Sequence, residues 1–200
     1  MGVKLIGCTT TGLSKYRGLL AALRPRTLLI EEAAETKEGT IIAGMIESLQ
    51  HLILVGDHQQ LQANCNIKAL EEAPYHMNVS MFERLIKNSI GYVMLNKQRR
   101  MVPNIRKLLT IEPSPFYRNL QDHHSVLDRR VNRPFVPGMG DRDVWFFHHN
   151  WPEGRNPDSS RYNADEAQMI AGVFKHLVAN GTDSTKITVL TVCVAPSFYA

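Results

Sequence analysis

The sequence predicts an α/β fold, with short parallel strands and helices on both faces. Three observations carry this: brief apolar runs recur through the first half, amphipathic stretches separate them, and three runs end in polar clusters. Parallel strands need crossover connections, so this alternation is what a helix-covered parallel sheet produces. In chain order, residues 3–8 read as a first strand. Residues 14–23 read as a helix with Ser14 as its N-cap. Thr27–Ile30 is the second strand. Residues 36–49 are expected to be helical because Ile41, Ile42, Met45, Ile46 and Leu49 recur at roughly helical spacing. A third strand over 51–55, a helix over 79–86 and a fourth strand over 91–95 complete the first half.

Beyond Leu109 the texture changes. Pro113, Pro115, Pro134, Pro137, Pro152 and Pro157 punctuate an irregular stretch in which 143–148 reads as one strand. A helix over 164–178 and a strand over 186–191 restore the rhythm. A domain boundary is therefore expected between 105 and 115, dividing the chain into 1–109 and 110–200. No internal repeat or low-complexity tract is present.

Hydrophobic residues make up 44% and charged residues 21%, ordinary globular usage that excludes wholesale disorder. The net charge of +4 permits a polyanionic partner without requiring one. Its basic residues fall in small clusters at Arg24/Arg26, Lys97/Arg99/Arg100, Arg106/Lys107 and Arg129/Arg130/Arg133. Cys8, Cys65 and Cys193 are far apart and form no Cys-x-x-Cys pair, which argues against a disulfide framework or zinc site and for a reducing compartment. With no leader and no apolar run of membrane-spanning length, a nuclear or cytoplasmic protein without a membrane partner is expected. The opening run carries neither cap nor leader, so further chain is expected upstream.

The chemistry lies at the strand ends. Residues 27–30 run into Glu31 and Glu32. Residues 51–55 run into Gly56-Asp57-His58-Gln59-Gln60. Residues 92–95 run into Asn96-Lys97-Gln98-Arg99-Arg100. Ligands of open parallel sheets bind beyond the carboxyl ends of the strands, so Glu31, Glu32, Asp57, Gln60, Gln98 and Arg100 are expected to converge on one edge. Taken singly, an acidic residue after a strand is usually a turn residue. Three ends loaded in order supply what nucleotide hydrolysis needs: a carboxylate for Mg²⁺, a second to orient or deprotonate water, an amide to sense the terminal phosphate and a guanidinium to stabilise its charge.

These segments resemble the motifs of superfamily 1 helicases of the up-frameshift type. Leu29-Ile30-Glu31-Glu32-Ala33-Ala34-Glu35 is similar to motif II and Val55-Gly56-Asp57-His58-Gln59-Gln60-Leu61 to motif III. Leu95-Asn96-Lys97-Gln98-Arg99-Arg100-Met101-Val102-Pro103 is similar to the Gln-x-Arg-Met-x-Pro motif, and Cys8-Thr9-Thr10-Thr11-Gly12 to the Thr-Gly motif that touches nucleic acid. The resemblance extends to the NFX-type zinc-finger helicase branch linked to RNA silencing and heterochromatin. That branch shares Lys15-Tyr16-Arg17, Ser80-Met81-Phe82-Glu83-Arg84-Leu85 and Asp122-His123-His124-Ser125-Val126, along with Gly138-Met139-Gly140, Ser159-Ser160, Asn163 and Glu166-Ala167. It covers the chain to about residue 191.

The resemblance implies a RecA-like P-loop NTPase fold, with residues 1–109 as most of one lobe and 110–200 as part of a second. It implies ATP and Mg²⁺ as cofactors. Glu31 would take the Mg²⁺ position, Glu32 the catalytic base, and Gln60 the coupling of γ-phosphate to the strand. Arg100 would be the γ-phosphate arginine, with Asp57 and Gln98 on the nucleotide side. Thr10, Thr11 and Gly12 would face a single-stranded nucleic acid, RNA rather than DNA, and silencing-complex proteins are implied as further partners.

The chain departs from the pattern at Glu31, where the family usually has Asp, and at Glu35, where it usually has Gln. No Gly-x-x-x-x-Gly-Lys-Ser/Thr loop occurs in the 200 residues, and 192–200 does not continue into the expected Pro-Tyr-x-Gly-Gln. The chain by itself is therefore expected not to hydrolyse ATP at a useful rate. The rival expectation is a non-catalytic RNA-binding or scaffold protein of a silencing complex. Three smaller expectations follow from local pattern. The pairs His123-His124 and His148-His149 are not metal ligands, because neighbours on a strand face opposite ways. Trp145, Phe146 and Phe147 belong to a core strand rather than a base-stacking surface. Arg106 and Lys107 lie on a solvated helix face.

Overall fold

The computed structural model describes residues 4–129, 133–155 and 161–191. Val3, Arg130, Pro157, Ser159, Ser160, Cys193 and the 192–200 tail, all used above, lie outside the described residues. The chain forms two compact units, Met1–Met94 and Leu95–Ala200.

In the first unit, β1 (Thr27–Ile30) and β2 (His51–Leu54) pair in parallel, with Thr27 opposite His51 and Ile30 opposite Leu54. Both ends of the pair are fastened by backbone bonds outside the ladder. At the entry, the amides of Gln50 and His51 donate to the Arg26 carbonyl at 2.8 and 3.0 Å, and at the exit the Val55 amide donates to the Ile30 carbonyl at 2.9 Å. Two short helices, α1 (Thr10–Lys15) and α2 (Arg17–Leu23), precede the pair, and α3 (Glu38–Ala43) crosses between its strands. Helix α1 packs on α3. Leu13, Ile30, Ala33, Ala34 and Ile41 are buried, with Ile41 fully so. Gly44 follows α3, and a Cβ there would lie 2.8 Å from Leu13 Cδ2 and 2.9 Å from Leu28 Cδ2, so glycine permits this close approach. Helix α4 (Met81–Lys87) starts at the fully buried Ser80, whose hydroxyl accepts from the Glu83 amide at 3.1 Å.

In the second unit, β3 (Lys97–Gln98) pairs in parallel with β4 (Gln121–Asp122). Helix α5 (Pro103–Leu108) opens on a proline, which suits the first helical position because no partner for its N–H is needed there. Arg106 of α5 is ion-paired with Asp122 at 3.1 Å. Arg129 pairs with Asp143 at 2.6 Å while its guanidinium sits 4.0 Å from the Phe135 ring centroid. A two-residue antiparallel pair, β5 (Gly154–Arg155) with β6 (Arg161–Tyr162), leads into α6 (Ala164–Ala179). Asn163 caps α6 through the Glu166 amide, and Asp165 and Glu166 place negative charge in its first turn.

Several expected elements differ. The helix over 14–23 is two helices that break at Tyr16. Its cap is Thr9, whose hydroxyl accepts from the Gly12 amide, and Ser14 lies inside α1. The helix over 36–49 is confined to α3: Gly44 ends it, and Ser48 Oγ is drawn away to the Pro25 carbonyl. The runs within 3–8, 91–95, 143–148 and 186–191 form no strand among the described residues. They stay open to solvent, with Leu5, Val93, Leu95, Phe146 and Leu190 close to nine-tenths exposed. A continuous apolar run reads as a strand buried on both faces, but its backbone bonds must come from neighbouring strands, and among the described residues only β1 and β2 supply each other with four residues. The two compact units divide after Met94, and 95–109 is tied forward to 121–122 through β3–β4 and Arg106–Asp122. Trp145, Phe146 and Phe147 are exposed rather than core.

Two consequences are measurable. A Cβ at Gly56 would lie 2.9 Å from the backbone nitrogen of Ala34, which cannot swing aside as the Leu termini around Gly44 can. Gly56→Ala should therefore cost about 1–3 kcal/mol and Gly44→Ala less, read from urea unfolding. The second concerns acid. Burial pushes the Asp122 carboxyl up, but hydrogen bonds from Arg106 and Gln98 and the charges of Arg106 and Lys107 outweigh it and hold the group below its ordinary value of 3.8. Its contribution is present above 3.8 and lost as pH falls through the lower folded value. Asp122→Asn should flatten the loss of stability between about pH 5 and pH 2, measured by thermal melts across that range.

Candidate functional site

The exits of β1 and β2 lie side by side, so Glu31-Glu32 and Val55-Gly56-Asp57 leave the pair from the same end. Glu32 adopts φ 52°, a left-handed conformation that is strained for a side chain with a Cβ. Beyond this bend the Ala33 amide donates to the Val55 carbonyl at 2.9 Å, so the two segments are stitched in both directions. Ala33 and Ala34 are buried against Gly56. Small residues at all three positions let the two backbones touch. The turn is closed by the Glu35 amide and the Thr36 hydroxyl, both donating to the Glu32 carbonyl.

The carboxylates of Glu31 and Glu32 stay exposed and make no hydrogen bond or ion pair among the described residues. Asp57 behaves differently. Its Oδ1 accepts from the Gln59 amide at 3.0 Å and its Oδ2 from Gln60 Nε2 at 2.8 Å, so it shapes the loop and holds the Gln60 amide. Free oxygen donors at a strand end suit Mg²⁺, which takes one or two carboxylates and fills its remaining positions with water and phosphate oxygens. No group of three or more His, Cys, Asp or Glu gathers among the described residues. The donor set therefore fits an ion shared with a nucleotide, whose charge Mg²⁺ would neutralise, rather than an all-protein metal cage.

Thr10, Thr11 and Gly12 form the first turn of α1, with both threonines exposed and Thr9 supplying the cap. The helix packs on α3, and at the start of α2 the Arg17 Nε donates to the Ala43 carbonyl at the end of α3 at 2.9 Å.

Gln98 and Arg100 belong to the second unit. The Gln98 side chain lies across the loop that follows β3: its Oε1 accepts from the amides of Arg100 and Met101 at 2.9 and 2.7 Å. Its Nε2 donates to the Met101 carbonyl and to Asp122 Oδ1, both at 2.7 Å. The Arg100 side chain is exposed.

Sequence reasoning missed Asp122 and misplaced Arg106. The Arg106 side chain is only 19% exposed, because it turns in to Asp122 rather than lying on a solvated face. A two-residue strand gives no periodic signal that would have paired 98 with 122. His123 and His124 lie in a turn rather than on opposite faces of a strand, and their ring centroids are 3.9 Å apart. Burial, then the positive charges of Arg99, His124 and Lys97, push the His123 pKa down. His149 Nε2 pairs with Glu166 at 2.7 Å, and its ring stacks on Trp151.

Models described as AAA domains match residues 2–66 and 77–195. The helicase required for RNAi-mediated heterochromatin assembly 1 of Schizosaccharomyces pombe is 41% identical over 194 residues, covering 97% of this chain and 19% of that protein. The NFX1-type zinc finger-containing protein 1 of Homo sapiens is 37% identical over 196 residues, covering 98% of this chain and 10% of that protein. Regulator of nonsense transcripts 1 of Caenorhabditis elegans is 27% identical over 197 residues, covering 94% of this chain and 17% of that protein. The chain thus spans less than a fifth of the length of these relatives. No helix among the described residues is long and apolar enough to cross a membrane. Motifs II and III on adjoining strand ends, the AAA-domain matches and these relatives together place the chain in the superfamily 1 helicases of the up-frameshift type.

Proposed function

We propose that residues 1–200 form the middle of the ATPase core of an ATP-dependent helicase. That protein moves along single-stranded nucleic acid, RNA rather than DNA, and acts in gene silencing within the nucleus or cytoplasm. In this reading 1–109 belongs to one RecA-like lobe and 110–200 to a second, and silencing-complex proteins are partners. The observation that carries it is the parallel pairing of β1 and β2, which brings Glu31-Glu32 and Asp57-Gln60 off the same end of one strand pair. The first-named relative, whose printed name joins helicase to RNAi-mediated heterochromatin assembly, supports RNA silencing as the process.

Each side chain takes one task. Glu31 offers oxygen to Mg²⁺. Glu32, one residue on and turned by its left-handed backbone, orients and deprotonates the attacking water. Gln60, steadied by Asp57, reads the terminal phosphate and passes its presence to the strand-binding turn at Thr10, Thr11 and Gly12. Arg100 stabilises charge on that phosphate as it transfers, and Gln98 stands at the base of its loop. Such catalysis is mostly positioning and electrostatics, so removal of one group should spare binding and lower turnover.

In the helicase polypeptide that contains these residues, Glu32→Gln and Arg100→Ala should each lower the rate of phosphate release by at least about 100-fold. Binding of a fluorescent ATP analogue should stay within a few-fold of wild type. Wild-type turnover in either variant contradicts its assigned role.

A further inference from the structure

Gln98 uses every hydrogen-bonding position of its amide inside the chain. A primary amide has two donor hydrogens and two acceptor positions. Here the hydrogens go to the Met101 carbonyl and Asp122, and the oxygen accepts from the amides of Arg100 and Met101. Nothing is left over for a nucleotide, so the side chain works as an internal brace for the 99–102 loop. The brace has a direction: it holds the loop only if the oxygen faces the two amides and the nitrogen faces away from them.

That direction is anchored from β4. The register sets Gln98 opposite Asp122, and the flanking bonds, Gln121 amide to Asn96 carbonyl and His123 amide to Gln98 carbonyl, fix the strands against each other. A carboxylate can only accept, so Asp122 Oδ1 at 2.7 Å demands the Nε2 end of the amide. Asp122 is itself held. Arg106 Nη2 donates to its Oδ2 at 3.1 Å and Arg106 Nε approaches both oxygens at 3.3 Å. The Asp122 side chain is only 10% exposed, so the chain of contacts lies largely away from water. A second tie, Arg133 Nη2 to the Arg99 carbonyl at 2.9 Å, steadies the other side of the loop.

We infer that Asp122, held by Arg106, is a positioning residue for Arg100 and acts through the Gln98 side chain; this rests on the helicase reading of Arg100 given above. Asp122 touches no reacting atom. It sets the amide that sets the backbone from which Arg100 projects. Asp122→Ala removes one of the two acceptors of Nε2 and leaves the amide tied to the 99–102 loop alone, with nothing to anchor it to β4. Asp122→Asn keeps an acceptor for Gln98 while giving up the ion pair with Arg106, and serves as the conservative variant.

Two readings test it. The first is residue-resolved hydrogen exchange on the 200-residue chain. Asp122→Ala should speed exchange at the Arg100 and Met101 amides about 10-fold, roughly the loss of one hydrogen bond, while the amides of α6 keep their wild-type rates. Asp122→Asn should retain most of the protection. The second is ATP turnover by the helicase polypeptide containing these residues. Asp122→Ala should lower kcat about 10-fold or more with KM nearly unchanged, and Asp122→Asn should recover most of it. Unchanged exchange at Arg100 and Met101 in Asp122→Ala overturns the brace. So does a folded Asp122→Asn protein that has lost both the protection at Arg100 and Met101 and the turnover of wild type, a result that can be read even if the alanine variant fails to fold. If Arg100→Ala lowers turnover and Asp122→Ala leaves kcat at the wild-type value, the positioning role fails while the helicase reading stands. If Arg100→Ala turns over normally, the fault lies in the reading of Arg100, and the catalytic part of this inference falls with it.

Discussion

The arrangement depends on one seam between two backbones. Where β1 and β2 end, Val55 donates to Ile30 and Ala33 donates back to Val55, each at 2.9 Å. Such an exchange needs close approach, and close approach needs small residues: Ala33, Ala34 and Gly56 are what the seam is made of. The left-handed bend at Glu32 aims the Ala33 amide across the gap. Local strain at that one residue is therefore the counterpart of an ordered edge, a common association where side chains must be held ready for chemistry. The acidic groups on one side are placed by backbone bonds, not by contacts of their own side chains, while on the other side the Asp57 carboxylate shapes its loop and holds Gln60.

The second unit reaches a comparable result by a different route. Its strand pair is only two residues long, too little for a ladder to hold a loop in place. Side chains take over. Gln98, Asp122 and Arg106 form a largely buried chain of charge-assisted bonds, in which each polar group meets a partner of opposite hydrogen-bonding character. Such networks cost little when every member is satisfied and a good deal when one is removed, which gives Asp122 its leverage over a loop it does not itself belong to.

Much of this was legible in the sequence where local pattern and tertiary structure agree. β1, β2, α4 and α6 match their expected spans to within a residue or two, because apolar runs and caps specify them locally. The polar clusters after β1 and β2 were visible for the same reason. Legibility failed where the outcome depended on partners. Val93, Leu95, Phe146 and Leu190 are composed for strands, yet the described residues supply no ladder for them and they remain exposed. Tyr16 splits one amphipathic stretch in two, and Gly44 stops another before its apolar period runs out. Arg106 read as a surface cation because its acceptor lies sixteen residues away. Nothing in the sequence around Gln98 reveals the carboxylate twenty-four residues on that its side chain meets.

In the proposed function, the ends of β1 and β2 embrace one metal–nucleotide complex. Fe²⁺ substituted for Mg²⁺ generates short-lived hydroxyl radicals with ascorbate and peroxide, and these cut the backbone close to the ion. In the helicase polypeptide that contains these residues, with an ATP analogue bound, the account predicts cuts both within 31–35 and within 56–60, each lost when the analogue is withheld. Analogue-dependent cuts that avoid one of these segments would contradict it.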